Sequence, residues 1–332
     1  MSSATIRSFD SLTPRGQSGR LRALARVALE QYDGFDGARV ALLKRSFNTL
    51  FRVVDSDGHM TALRVGARER IHTDETESVE TAWLSALRID TDIGAPLPIA
   101  DHSGSYITRA ASGGVPQART CVLFEWVRGR RLGEAITVGR AQALGRLLAQ
   151  LHEHGAQFDG GHRQPVLVGD RALGFVLRDL IPRNDPVYGT LLVDALDRAQ
   201  QAIDTLWASP PHPPHILHGD LHPSNVLVHR NHLTPIDFQD AIWGFEIQDV
   251  SMTVMALKSY YPEPDALIEA LRTGYRQLRP WPADDVAMLD ELVAARHLSV
   301  LNLGYNLRRP GFERFVADHG DWLRGWMGAG SG

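Results

Sequence analysis

The side chains best suited to chemistry stand in two short stretches, HGDLHPSNVL (His218–Leu227) and IDFQD (Ile236–Asp240). Asn225 sits just before an apolar run, VLVH, and Asp237 follows a second run, LTPI, with a polar turn between them. A hairpin returns its two open ends to one place, so Asn225 and Asp237 meet. Asp220 lies on the loop feeding the first strand. Oxygen donors placed this way suit a hard cation such as Mg²⁺. A carboxylate without that duty can orient a hydroxyl and accept its proton. His212, His215, His218 and His222 crowd the same region and raise zinc as another chemistry. Their Pro-rich loop, SPPHPPHILHG, lacks regular ligand spacing and argues against it.

The elements that position these residues follow from pattern. Apolar residues at helical spacing predict a helix over Arg20–Tyr32. Strand-like runs near 49–54 and 59–65 flank Asp-Ser-Asp-Gly, a turn signal, and predict a hairpin. A helix over 76–89 follows, then strands in GAPLPIA and over 120–127. Beyond Val127 the character changes. Helices are expected at 139–155, 187–207, 264–278, 283–306 and 311–327, interrupted by the two short strands of 226–238. A strand-rich part, 1–127, therefore precedes a helix-rich part, 128–332, with the segment 209–219 read as a loop.

The chain has 332 residues, 43% of them hydrophobic and 22% charged, enough for two sizeable cores. A formal net charge of −4 gives no global basic surface for nucleic acid. The lone Cys121 excludes an intramolecular disulfide and a thiolate-rich zinc site. The polar start and the lack of a long apolar run point to no membrane span and a cytoplasmic setting. No obligate protein partner is evident.

HGDLHPSN followed by IDFQDA resembles the aminoglycoside phosphotransferase / choline kinase superfamily, in the style of its homoserine-kinase-like and stress-response-kinase-like branch. Protein kinases carry the related H-R-D-x-x-x-x-N and D-F-G. The resemblance implies an α+β, two-lobed protein-kinase-like fold, with a small antiparallel-sheet N-lobe and a larger helical C-lobe. It implies phosphate transfer from Mg·ATP, bound between the lobes, to a hydroxyl of a small-molecule acceptor such as a hydroxy amino acid, an amino alcohol or an aminoglycoside. Asp220 would be the catalytic base, Asn225 and Asp237 the metal ligands, and His218 and Asp249 the scaffold of the catalytic loop.

Further residues are carried over from the same resemblance. Arg64 in TALRVG stands where protein kinases have the phosphate-binding lysine, and Glu80 matches its helix partner. Strand alternation puts Arg64 on the less apolar face, which suits either phosphate contact or a solvent-facing role. Asn48 and Thr49, in the glycine-free KRSFNTLF, are candidates for the phosphate loop, and Glu125 and Val127 for the adenine-binding hinge. Gln239, Trp243, Arg296 and Tyr305 are acceptor-pocket candidates. A stress-response-type protein Ser/Thr kinase, or a nucleotide-binding pseudokinase with a regulatory role, is the alternative.

Overall fold

The computed structural model describes residues 7–68, 72–159, 167–174, 181, 185, 187–307 and 311–329. The chain divides into two compact units. The first comprises Met1–Asp90 with Ala95–Val127, the second Thr91–Gly94 with Arg128–Gly332. Thr91–Gly94 thus departs from a single cut after Val127. Gly94 is there because its Cα lies so close to the Thr234 and His232 side chains that a Cβ would stand 3.0 Å from Thr234 Oγ1.

The first unit is an antiparallel sheet with helices. Strands β1 (Arg39–Arg45), β2 (Thr49–Val54), β3 (Met60–Val65), β6 (Arg119–Glu125) and β4 (Pro98–Ile99) lie side by side in that order, and β5 (Thr108–Ala110) also pairs with β6. The predicted hairpin is β2–β3. Asp55 Oδ1 accepts the N–H groups of Asp57 (2.9 Å) and His59 (2.8 Å), which closes its turn. β1 was not expected. Val40 is its one buried position and the others are exposed or half-buried, so no alternation announces it. Lys44 and Arg45 belong to this strand, and only Ser46–Asn48 turn the chain into β2. The pairing of β1 with β2 shifts register between Leu42 and Lys44, a bulge at the edge of the sheet.

Helix α1 (Pro14–Leu29) starts earlier than its apolar spacing suggests. Thr13 Oγ1 accepts the Gly16 N–H at 3.2 Å, and Pro14 occupies the first turn. Its stripe of Leu21, Leu24, Ala25 and Ala28 packs with Phe51, Leu63 and Leu123 of the sheet. Each fully buried Leu or Phe contributes about 1.5–3 kcal/mol. Helix α2 (Asp74–Asp90) buries Glu77, Glu80, Trp83, Leu84 and Leu87, an i, i+3, i+4 stripe.

The second unit is mainly helical: α3 (Val138–Gln157), α4 (Gly189–Ala208), α5 (Glu246–Tyr260), α6 (Pro264–Tyr275), α7 (Val286–Leu307) and α8 (Phe312–Ala329). Helices α3 and α6 touch backbone to backbone. A Cβ on Gly145 would collide with the Leu271 carbonyl, and one on Gly274 with that of Gln142. Two small sheets complete the unit. β7 (Arg130–Arg131) pairs with β9 (Val226–His229), which pairs with β10 (His232–Pro235). β8 (His215–Leu217) pairs with β11 (Ile242–Gly244). The loop expected over 209–219 therefore ends in a strand. Helix α5 is a second addition: every residue from Glu246 to Leu257 is buried, so it has no polar stripe to reveal a helix. Among the described residues, no helix is long and apolar enough to cross a membrane.

Candidate active site

The β9–β10 hairpin gathers the central residues. His229 pairs directly with His232. Arg230 (φ 48°) and Asn231 (φ 65°) form the two-residue turn, whose left-handed backbone matches strand twist. At the open end the Ile236 N–H donates to the Asn225 carbonyl at 2.8 Å. Asn225 is 4% exposed and donates from Nδ2 to Asp220 Oδ2 (2.8 Å) and to the Asp220 carbonyl (3.1 Å). That turns its amide oxygen away from Asp220. Asp237 holds a left-handed conformation, φ 69° and ψ 58°, unusual for a non-glycine residue and typical of functional sites.

Asp220 is electrostatically crowded. Burial, then the carboxylates of Asp240 and Asp237, push its pKa well above the ordinary range; Arg296 and the Asn225 amide act against them. Asp240, absent from the sequence assignment, follows Asp237 by one 3₁₀ turn, Phe238–Asp240. His222 is another addition. Its Nδ1 accepts the Ser224 N–H at 3.1 Å, so the proton sits on Nε2, 3.6 Å from Asp220 Oδ2.

The loop that carries Asp220 is fixed from below by α5. Asp249 accepts the N–H groups of Gly219 (2.9 Å) and His218 (3.2 Å), and Thr253 donates to the Leu221 carbonyl at 2.6 Å. Tyr275 and His152 extend the chain: His152 Nδ1 lies 2.9 Å from the Tyr275 hydroxyl and Nε2 3.2 Å from Asp249 Oδ2. Burial acts to raise the Asp249 pKa, but His152, His218 and Arg296 hold it below the ordinary value. His218 is fully buried. Its Nδ1 accepts the Asp220 N–H (3.3 Å) and its Nε2 lies 3.2 Å from the Ile236 carbonyl, as a neutral ring requires. Burial lowers its pKa accordingly. Gly219 (φ 78°) has no alternative: a Cβ there would collide with the Asp240 carbonyl.

The acceptor candidates are held by different surroundings. Arg296 donates to the Gln248 carbonyl at 3.3 Å, and its charge lies near Asp249, Asp220 and Asp240. It lines a cavity with Gly169, Ile242, Gln248, Ser251 and Ser299. Trp243 is not in that lining; it follows Ile242 on β11 and pairs with Ile216. Gln239 is buried, and Tyr305 packs edge-on against Phe312, ring centroids 4.9 Å apart.

In the first unit, Arg64 is 6% exposed and Glu80 1%. Nη1 and Nη2 of Arg64 donate to the two Glu80 oxygens at 2.8 and 2.5 Å, and the guanidinium lies 5.1 Å from the Phe124 ring centre. The solvent-facing alternative for Arg64 is thereby removed. Asn48 Oδ1 accepts the Ala67 N–H at 3.3 Å, tying the β1–β2 turn to the chain beyond β3. Thr49 opens β2 and is buried. Glu125 ends β6 with an exposed side chain, its N–H on the Leu97 carbonyl at 2.8 Å, and Val127 closes the unit.

The donor set suits a hard divalent cation: the carboxylates of Asp237 and Asp240 act on Asp220 electrostatically, Arg296 opposes them, and Asn225 adds an amide oxygen not used in its bonds to Asp220. Comparison with known proteins agrees with a phosphotransferase. A homoserine kinase of Beijerinckia indica is 27% identical over 60% of this chain and 60% of its own length. A stress response kinase A of Salmonella choleraesuis is 24% identical over 84% of this chain and 80% of its own. The structure of a microcompartment-associated aminopropanol kinase matches with a TM-score of 0.73 at 25% identity, covering 92% of this chain and 98% of that one. The fold is thus the protein-kinase-like α+β fold of these enzymes. The model of the phosphotransferase enzyme family (APH) matches residues 41–285, and the chain belongs to that family.

Proposed function

We propose that the chain moves the γ-phosphoryl group of ATP, as its Mg²⁺ complex, to a hydroxyl of a small amine-bearing metabolite. A hydroxy amino acid, an amino alcohol or an aminoglycoside fits this description. The observation that carries the reading is the Asn225 Nδ2–Asp220 Oδ2 hydrogen bond of 2.8 Å at the open end of the hairpin that also delivers Asp237. Asp220 orients the acceptor hydroxyl and takes its proton as the oxygen attacks phosphorus and ADP leaves. Asn225 and Asp237 hold the divalent cation, which when bound neutralises phosphate charge. Arg64, fixed by Glu80, meets the nucleotide phosphates; each Nη carries a second N–H beside the one given to Glu80. The acceptor class is supported by the relatives named homoserine kinase and aminopropanol kinase. A cytoplasmic setting follows from the ATP requirement.

A protein hydroxyl as acceptor is the second reading. It is favoured by the stress response kinase, whose similarity spans more of the chain than that of the homoserine kinase. The test is phosphoryl transfer from ATP across hydroxy amino acids, amino alcohols, aminoglycosides and a Ser/Thr protein substrate, with Asp220→Asn as control. Turnover of one small acceptor that disappears in the variant is the expected result. Transfer to protein alone selects the second reading. Nucleotide binding without transfer to any acceptor overturns both in favour of a regulatory pseudokinase.

A further inference from the structure

The four histidines around the catalytic loop separate into two kinds. His218 and His222 have their Nδ1 atoms occupied by backbone N–H groups. His212 and His215 meet instead at Glu246, the first residue of α5. We propose that His212, His215 and Glu246 bind a divalent transition-metal ion of the Zn²⁺ class, at a site sharing no residue with Asp220, Asn225 and Asp237. It does not depend on the phosphotransfer reading.

Geometry comes first. One ligand atom from each residue lies within 4.8 Å of the others. His212 Nε2 is 2.5 Å from Glu246 Oε2, and His215 Nε2 is 3.7 Å from Glu246 Oε1. Ligands about 2.0–2.2 Å from a tetrahedral ion stand about 3.4 Å apart, so atoms within 4.8 Å of one another need only a small side-chain adjustment to hold one ion.

One buried nitrogen without a partner among the described residues, beside a ring whose two nitrogens both face acceptors, marks the site. His215 is 5% exposed, and among the described residues its buried Nε2 has no hydrogen-bond partner. Buried polar atoms are rarely left so. His212 has the opposite problem. Its Nδ1 lies 2.8 Å from the Pro213 carbonyl and its Nε2 2.5 Å from the Glu246 carboxylate, so both nitrogens face acceptors. A neutral imidazole has one N–H. Two routes satisfy both contacts: a protonated ring donating to Glu246, or Nδ1–H on the carbonyl, the usual outer contact of a metal-bound histidine, with a cation on Nε2.

Arg279 decides which cation. Its Nη2 donates to Glu246 Oε1 at 2.9 Å, which leaves Oε2 as the ligand oxygen and adds an opposing charge. A site of two imidazoles and one shared carboxylate beside a guanidinium is poor for Mg²⁺ and suits Zn²⁺, Co²⁺ or Ni²⁺. The ion would tie β8, which runs into His218, to α5, whose Asp249 holds the loop N–H groups. The signal was hidden because Glu246 lies far along the sequence from His212 and His215.

The test uses the full-length protein stripped by chelator and titrated calorimetrically with Zn²⁺ alone, without nucleotide. The expected result is one Zn²⁺ per chain, unchanged by excess Mg²⁺ and by Asp237→Ala. Co²⁺ should give the visible absorption of a low-coordinate nitrogen/oxygen site. His212→Gln and His215→Gln should each weaken Zn²⁺ by at least ~10–100-fold, the loss that follows removal of even an outer partner. His212 is partly exposed, so its variant should keep the far-UV circular dichroism of the parent and decides the matter if the His215 variant fails to fold. No Zn²⁺ binding by the parent, equal affinity in the folded histidine variants, or binding lost to Mg²⁺ or to Asp237→Ala overturns the proposal.

Discussion

Residues 218–222 and 212–215 each contribute two histidines to the same neighbourhood, yet they are held in different ways. In the loop, His218 Nδ1 receives the Asp220 N–H and Nε2 faces the Ile236 carbonyl, while His222 Nδ1 receives the Ser224 N–H. Each ring has a tautomer that the backbone dictates. Three residues upstream, no neutral tautomer satisfies His212, and among the described residues the buried His215 Nε2 has no partner. A polar cluster whose protons all have places is a scaffold. One whose protons do not fit has room for a ligand.

The comparison can be broken most directly at Asp220. Asp220→Asn keeps the shape of the loop and removes the base, so turnover should fall by ~10²–10⁴-fold with the thermal midpoint nearly unchanged. Steady-state kinetics and melting on one preparation decide it. Unchanged turnover would remove Asp220 from catalysis.

The scaffold itself is tested next. Asp249→Ala strands the buried N–H groups of His218 and Gly219 and the ring of His152. A loss of about 3–5 kcal/mol in urea unfolding is expected. His212→Gln in metal-free protein should shift the same curve by less than about 1 kcal/mol, because that ring is partly exposed. Equal losses would erase the distinction between the two segments.

Acid sharpens it further. Burial holds His297 at about 3 and His319 at about 4, and lowers His215 to about 4 and His218 in direction. These rings are neutral when folded and titrate near 6.5 when unfolded, so the unfolded chain binds more protons below that pH. Stability should be flat above pH 7 and fall as pH drops from 6.5 to 5. The limiting slope is about 1.4 kcal/mol per pH unit for each such histidine. Urea midpoints measured from pH 8 to 5 read the slope, and a flat profile would show that these rings are not held neutral.

The smallest effect belongs to His222. His222→Gln loses the hydrogen bond from the Ser224 N–H, worth about 1 kcal/mol. Its Nε2 stands beyond hydrogen-bond range of Asp220. Turnover should remain within about tenfold of the parent, and a larger fall would make His222 a partner of the base.

Asp220, Asn225 and Asp237 could be grouped from sequence because one hairpin with a two-residue turn brings them together, and its ends are marked by the change from polar to apolar residues. His152 and Asp240 could not, and Arg296 was named for the acceptor pocket by resemblance alone, without its place beside Asp220. His152 and Arg296 reach the loop from helices α3 and α7, across packing that leaves no local pattern, and Asp240 matters only because a 3₁₀ turn returns it toward Asp220. The burial of Arg64 was open for a related reason: strand alternation gives a face, while the partner, Glu80, is chosen by where α2 packs. Helix α5 and strand β1 escaped for opposite reasons, one being buried on every side and the other almost entirely uncovered.

The irregular pairing of β1 bears on how the protein behaves in crowded solution. The strand lies at the sheet's edge and exposes Leu42 (38%) and Leu43 (42%), an arrangement that invites a second chain to add itself there. The extra residue between Leu42 and Lys44 breaks the straight row of N–H and C=O groups such an addition needs, and Lys44 and Arg45 put positive charge beside it. Deleting Leu43 would restore an even row. The shortened protein should cloud at concentrations where the parent stays clear.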